Sequence, residues 1–137
     1  MMKTAKLGTV LLVLALLAGC ASTSSTKPVR SEFEDIPIPK GLEFRTGDST
    51  IIESPTVKAA RLVYRGRLEI QSLATAWRST LEANGWRHVS TTSVQDQGII
   101  QVYEKAGTSL QVRLSEGWMR IYTYAELTVG RAIQPPK

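Results

Sequence analysis

The sequence predicts an α+β fold: one helix packed on a mostly antiparallel sheet of about five strands, in the order strand, helix, meander. Three observations carry this. A strand-like run, Ala60-Arg61-Leu62-Val63-Tyr64-Arg65, stops at Gly66. Next, Leu73, Ala76, Trp77, Thr80 and Leu81 recur at helical spacing and end at Asn84-Gly85. Beyond Gly85, four β-rich runs follow one another across loops short enough to force antiparallel hairpins.

Each element has a local reason. Ser72 is the expected N-cap of a helix over 73–84, because its hydroxyl can accept from an orphan backbone N–H. Gly85 follows as a stop, since glycine adopts the left-handed backbone that closes a helix. Trp77, in the middle of the apolar stripe, is expected to anchor the helix to the sheet. The meander strands are expected over 86–93, 99–105, 109–115 and 118–129, with turns near 95–98, at Ala106-Gly107 and at Glu116-Gly117. Residues 42–56 show no clear period, although Ile51-Ile52 has the character of a short strand.

The first twenty residues read differently. Lys3 and Lys6, with no acid, precede a dense apolar run from Leu7 to Leu17. That is the layout of an export signal, too short for a transmembrane helix of roughly 20 apolar residues. The run ends in Leu17-Ala18-Gly19-Cys20, which resembles the lipobox of bacterial lipoproteins. The resemblance implies that Cys20 accepts a diacylglyceryl group, that cleavage occurs before it, and that a further acyl chain can join the freed amine. Ala21 and Ser22 follow where aspartate would retain such a protein at the inner membrane. For a Gram-negative host the resemblance therefore points to the periplasmic leaflet of the outer membrane.

The expected organisation is a signal peptide over 1–19, a lipidated cysteine and tether over 20–40, one α+β domain over 41–130 and a tail over 131–137. The run Ala-Ser-Thr-Ser-Ser-Thr-Lys after Cys20 has linker composition. Ile36-Pro37-Ile38-Pro39 can be read as a stiff linker or as an apolar strip laid along the domain, because each proline extends the residue before it.

Composition excludes several classes. The formal charge is +5, from 17 basic and 12 acidic residues; without Lys3 and Lys6 it is 15 − 12 = +3. That is too mild and too scattered for nucleic-acid binding. A single cysteine allows neither an internal disulfide nor a cysteine-rich zinc site. His88 is the lone histidine, and no nucleophile elbow, zinc-protease helix, P-loop, dinucleotide fingerprint or calcium loop is present. No enzyme, metal or cofactor is expected.

Strand alternation assigns faces. Leu110, Val112 and Leu114 point one way, as do Met119, Ile121, Ala125, Leu127 and Val129, and the helix is expected to cover them. On the strand over 99–105, Ile100 and Val102 are assigned to the same side. The opposite face should then present Tyr103, Lys105, Arg113, Trp118, Arg120, Tyr122 and Tyr124. Tyrosine, tryptophan and arginine are the residues enriched at binding hot spots. The same residues also suit an ordinary solvated sheet face, and residues 36–42 folding back would cover them.

The segments Asp35-Ile36-Pro37-Ile38-Pro39-Lys40-Gly41, Leu62-Val63-Tyr64-Arg65-Gly66 and Asn84-Gly85-Trp86 resemble a family of small proteobacterial lipoproteins of unknown function. These motifs imply a fold and carry no activity. The expectation is a lipid-anchored, non-catalytic envelope module whose partners are the membrane, through acyl chains on Cys20, and an envelope protein at the sheet face. A cell-wall or lipopolysaccharide binder and a small periplasmic hydrolase are the alternatives.

Overall fold

In a computed structural model, residues 33 and 35–133 are described. The signal, Cys20, most of the tether and residues 134–137 of the tail lie outside them. The described residues form β1 (Leu42–Phe44), a short 3-10 turn η1 (Thr46–Asp48), β2 (Thr50–Glu53), β3 (Val57–Gly66), α1 (Ile70–Ala83), β4 (Arg87–Val94), β5 (Gly98–Lys105), β6 (Thr108–Glu116) and β7 (Thr123–Ala132). One antiparallel sheet runs β1-β3-β7-β6-β5-β4, with β2 also on β3. The class is broadly α+β, but the sheet has seven strands, so the expectation of about five is corrected.

The two additional strands form one interrupted edge. Phe44 pairs with Tyr64 and Thr50 with Arg61. The edge thus advances six residues while β3 advances three, and the surplus is the three-residue η1. Ser49 holds the break closed: its hydroxyl donates to Arg45 O at 2.8 Å and accepts from Val63 N–H at 3.0 Å.

The helix begins earlier than Ser72. Glu69 is the N-cap, its carboxylate accepting from Gln71 N–H at 2.8 Å and Ser72 N–H at 2.7 Å. Those backbone donors hold the Glu69 carboxyl below its ordinary range. At the other end, Gly85 takes φ +83. Gly85 N–H then donates to Glu82 O, and Trp86 N–H to Leu81 O, both at 3.0 Å. This is a Schellman closure, completed by burial of Leu81 and Trp86.

The helix buries Leu73, Ala74, Trp77 and Leu81 against one face of the sheet. Trp77 has no exposed surface, as its place in the stripe predicted. Facing it are Ala60, Leu62, Tyr64, Ile99, Tyr103, Leu110, Val112, Leu114, Ala125, Leu127 and Val129. Phe33 and Ile36 join this core, with Ile38 packed against it. Of the two readings of Ile36-Pro37-Ile38-Pro39, the apolar strip is the observed one, and it lies on the helix-covered side.

Candidate functional surface

The seven residues expected on one surface occupy three places. Tyr103 and Lys105 belong to the helix-covered side. Antiparallel partners share a face, and Tyr103 pairs with Leu110, Gln101 with Val112 and Ile99 with Leu114. Tyr103 is wholly buried, and burial pushes its hydroxyl up to about 12. That hydroxyl donates to Gln101 Oε1 at 3.0 Å, while Gln101 Nε2 donates to Ala74 O at 3.2 Å. Lys105 Nζ donates to Asn84 O at 2.8 Å and lies 5.8 Å from the Trp86 ring centroid, at the helix C-terminus. Neither residue is on the open face, and the assignment of Ile100 and Val102 to the core side is corrected with them.

Trp118 and Arg120 are not in a strand. β7 starts at Thr123, and residues 117–122 form a closed loop. Gly117 N–H donates to Tyr122 O, and Arg120 N–H to Gly117 O, both at 2.8 Å. Arg120 carries φ +54 and pairs with Glu116 at 3.2 Å. Met119 and Ile121, expected under the helix, are exposed on this loop. Trp118 and Arg120 border a recess of about 450 Å³ whose other wall includes Ile70, Gln71, Ser93 and Asp96.

Arg113, Tyr122 and Tyr124 remain on the open face. Cross-strand registers place Thr92, Ile100, Arg113, Glu126 and Val63 in one row across it. The neighbouring row reads Ser90, Val102, Gln111, Thr128 and Arg61. Arg61 donates to Glu126 at 2.6 Å and also reaches Asp48 O at 3.1 Å. The hydrogen bond from Arg61 holds the Glu126 carboxyl below its ordinary range; burial opposes this, and Arg113 adds to it. Asp48, Arg61, Val63, Arg113, Ser115, Tyr124 and Glu126 line an open recess of about 490 Å³.

Beside it, the Arg65 guanidinium lies 4.5 Å and that of Arg67 5.1 Å from the Tyr122 ring centroid. Arg67 also donates to the Tyr122 hydroxyl at 3.1 Å, which lowers the pKa of that phenol. Among the described residues, Arg65, Arg67 and Arg113 make no ion pair. Arg61, Arg65, Arg67, Ile100 and Val102 were absent from the expected surface. For Arg61 and Arg65 the signal was available: they alternate with the apolar Ala60, Leu62 and Tyr64 along β3.

His88 lies in β4, with Nε2 2.8 Å from the Thr91 hydroxyl and its ring 5.4 Å from that of Tyr103. Among the described residues no carboxylate is bonded to it, and no group of three or more His, Cys, Asp or Glu side chains is placed to hold a metal. No described helix is long and apolar enough to cross a membrane. No family model, curated protein or solved structure matches the chain.

Proposed function

We propose that the protein is a lipid-anchored, non-catalytic module of a bacterial cell envelope that docks on a protein partner through the open face of its sheet. The observation that supports this best is the composition of that face. Arg65, Arg67 and Arg113 carry no ion-pair partner among the described residues and sit beside Tyr122 and Tyr124, with half-buried Ile100 next to Arg113. Unpaired guanidinium groups favour an acidic partner, and adjoining aromatic and aliphatic groups give it apolar area to bury. Ile100 and Val102 favour a protein surface over an anionic sugar.

Leu17-Ala18-Gly19-Cys20 supports the protein's anchor, and Ala21-Ser22 after it favours, in a Gram-negative host, the periplasmic leaflet of the outer membrane. Two or three acyl chains on Cys20 would hold it stably, since one chain alone holds only marginally. Mass spectrometry of the native N-terminus is expected to show an acylated Cys20. An unmodified thiol there, or a retained Met1, would remove the anchor.

A photo-crosslinker placed at Gln111, exposed on the open face, tests the docking. One discrete protein species should be captured in native membranes and lost in the Arg67→Ser, Arg113→Ser double variant, with the melting temperature unchanged. The same species captured by the double variant, or a captured glycan in its place, would refute docking on a protein through this face.

A further inference from the structure

The loop over 117–122 holds residues that its backbone does not require. The Arg120 N–H to Gly117 O bond makes Trp118 and Met119 the two corner residues of a four-residue turn. Corners of such turns favour glycine, proline, asparagine, aspartate and serine, each for a backbone reason. Here Trp118 is 96% exposed, Met119 64% and Ile121 48%. None of the three belongs to the core cluster. The loop has one cation, Arg120, and no acid. An exposed tip of Trp, Met and Ile has the composition of a lipid interface, where indole rings sit at headgroup level; it is flanked by Arg120, paired with Glu116 at 3.2 Å, and by Tyr122, held by Arg67.

The anchor brings a bilayer within reach. Asp35 bonds Arg131, near the C-terminal end of β7, whereas the 117–122 loop precedes the start of β7. The described chain thus begins at the end of the sheet opposite the loop. At about 3.4 Å per residue, the ten residues of β7 span roughly 34 Å. Phe33 lies thirteen residues on from Cys20, and a chain of that length reaches at most about 45 Å. The loop can therefore touch the same membrane that holds Cys20. As a flexible coil the same thirteen residues average only about 20 Å, so the contact requires an extended tether and the insertion itself must supply the free energy that holds it.

We propose that the Trp118-Met119-Arg120-Ile121 loop inserts into the headgroup–acyl boundary of the anchoring bilayer as a second, non-covalent contact. The inference rests on the lipid-anchor reading, and the two can fail separately. Trp77 and Trp86 are buried and Trp118 is exposed, so the difference between wild type and Trp118→Phe isolates the emission of Trp118. The protein as processed by its native host is reconstituted into phosphatidylethanolamine–phosphatidylglycerol vesicles with brominated acyl chains. The expected result is flotation with the vesicles, with Trp118 emission shifted to the blue, quenched by bromine and shielded from aqueous acrylamide. If the protein floats while Trp118 stays red-shifted, unquenched by bromine and open to acrylamide, the loop contact is overturned and the anchor stands. If the protein does not float, the anchor reading is overturned and the loop contact with it.

Discussion

On the helix-covered face, Leu110, Val112 and Leu114 of β6 and Ala125, Leu127 and Val129 of β7 have no exposed surface. One step along the same strands, Gln111, Arg113 and Thr128 are exposed. The covered face is mostly apolar, its buried polar groups being the bonded pair Tyr103–Gln101 together with Thr108 and Thr123, whereas the open face tolerates unpaired cations beside half-buried isoleucine and valine. The difference separates what the fold requires from what it leaves free. Residues of the first face should be costly to change, and those of the second should matter to a partner while leaving stability nearly untouched.

The largest expected effect is on the covered face. Trp77→Ala removes a wholly buried indole from the helix–sheet interface. Such a change costs about 3–5 kcal/mol, a large share of the roughly 5–15 kcal/mol that holds a domain together. Chemical denaturation should show the loss directly. A midpoint within error of wild type would mean that the helix does not bury this residue.

Tyr103→Phe sharpens the comparison, because it tests which face Tyr103 occupies. Removing the hydroxyl leaves the buried Gln101 Oε1 without its donor, at a cost of about 1–3 kcal/mol. On the open face the same change would fall within about 0.5 kcal/mol. A difference that small in equilibrium unfolding would return Tyr103 to the open side.

The sequence error at Tyr103 has a physical cause. Ile99 and Ile100 are adjacent and equally apolar, so alternation along β5 alone does not decide which parity faces the core. The turn at Ala106-Gly107 does decide it. A two-residue loop pairs Lys105 with Thr108, which sets Tyr103 opposite Leu110 and puts both on one side. The 118–122 segment misled for another reason. Trp, Met, Ile and Tyr read as strand formers, and nothing local shows that Arg120 takes a left-handed backbone or that Gly117 closes on Tyr122. The helix stripe, the Gly85 stop and the alternation from Thr123 onward were legible because burial repeats at a fixed period there. The edge of β1, η1 and β2 was not, because its three surplus residues break any period.

Arg113→Ser should behave in the opposite way to Trp77→Ala. Arg113 is exposed, and among the described residues it makes no ion pair. Stability should stay within about 0.5 kcal/mol of wild type. Thermal melts would check this, and a loss of several degrees would show that the open face is structural after all.

A further small effect depends on pH. Glu126 lies between Arg61 and Arg113, and the hydrogen bond from Arg61 lowers its folded pKa below the ordinary 4.5. For a carboxylate shifted in that direction, the unfolded state binds the proton more readily. The stabilisation is therefore complete well above the unfolded value and disappears as pH falls through the folded one. The Arg61 side chain is 52% exposed and that of Glu126 29%, so solvent screening limits the pair to about 0.2–1 kcal/mol. Glu126→Gln should cost that amount at pH 7, and the gap to wild type should close as pH drops below about 4.5. Paired denaturation curves over this range would show it. A gap that stays constant down to full protonation would assign the contribution of Glu126 to packing within its recess, with no share from its charge, and would make the open face more like the covered one.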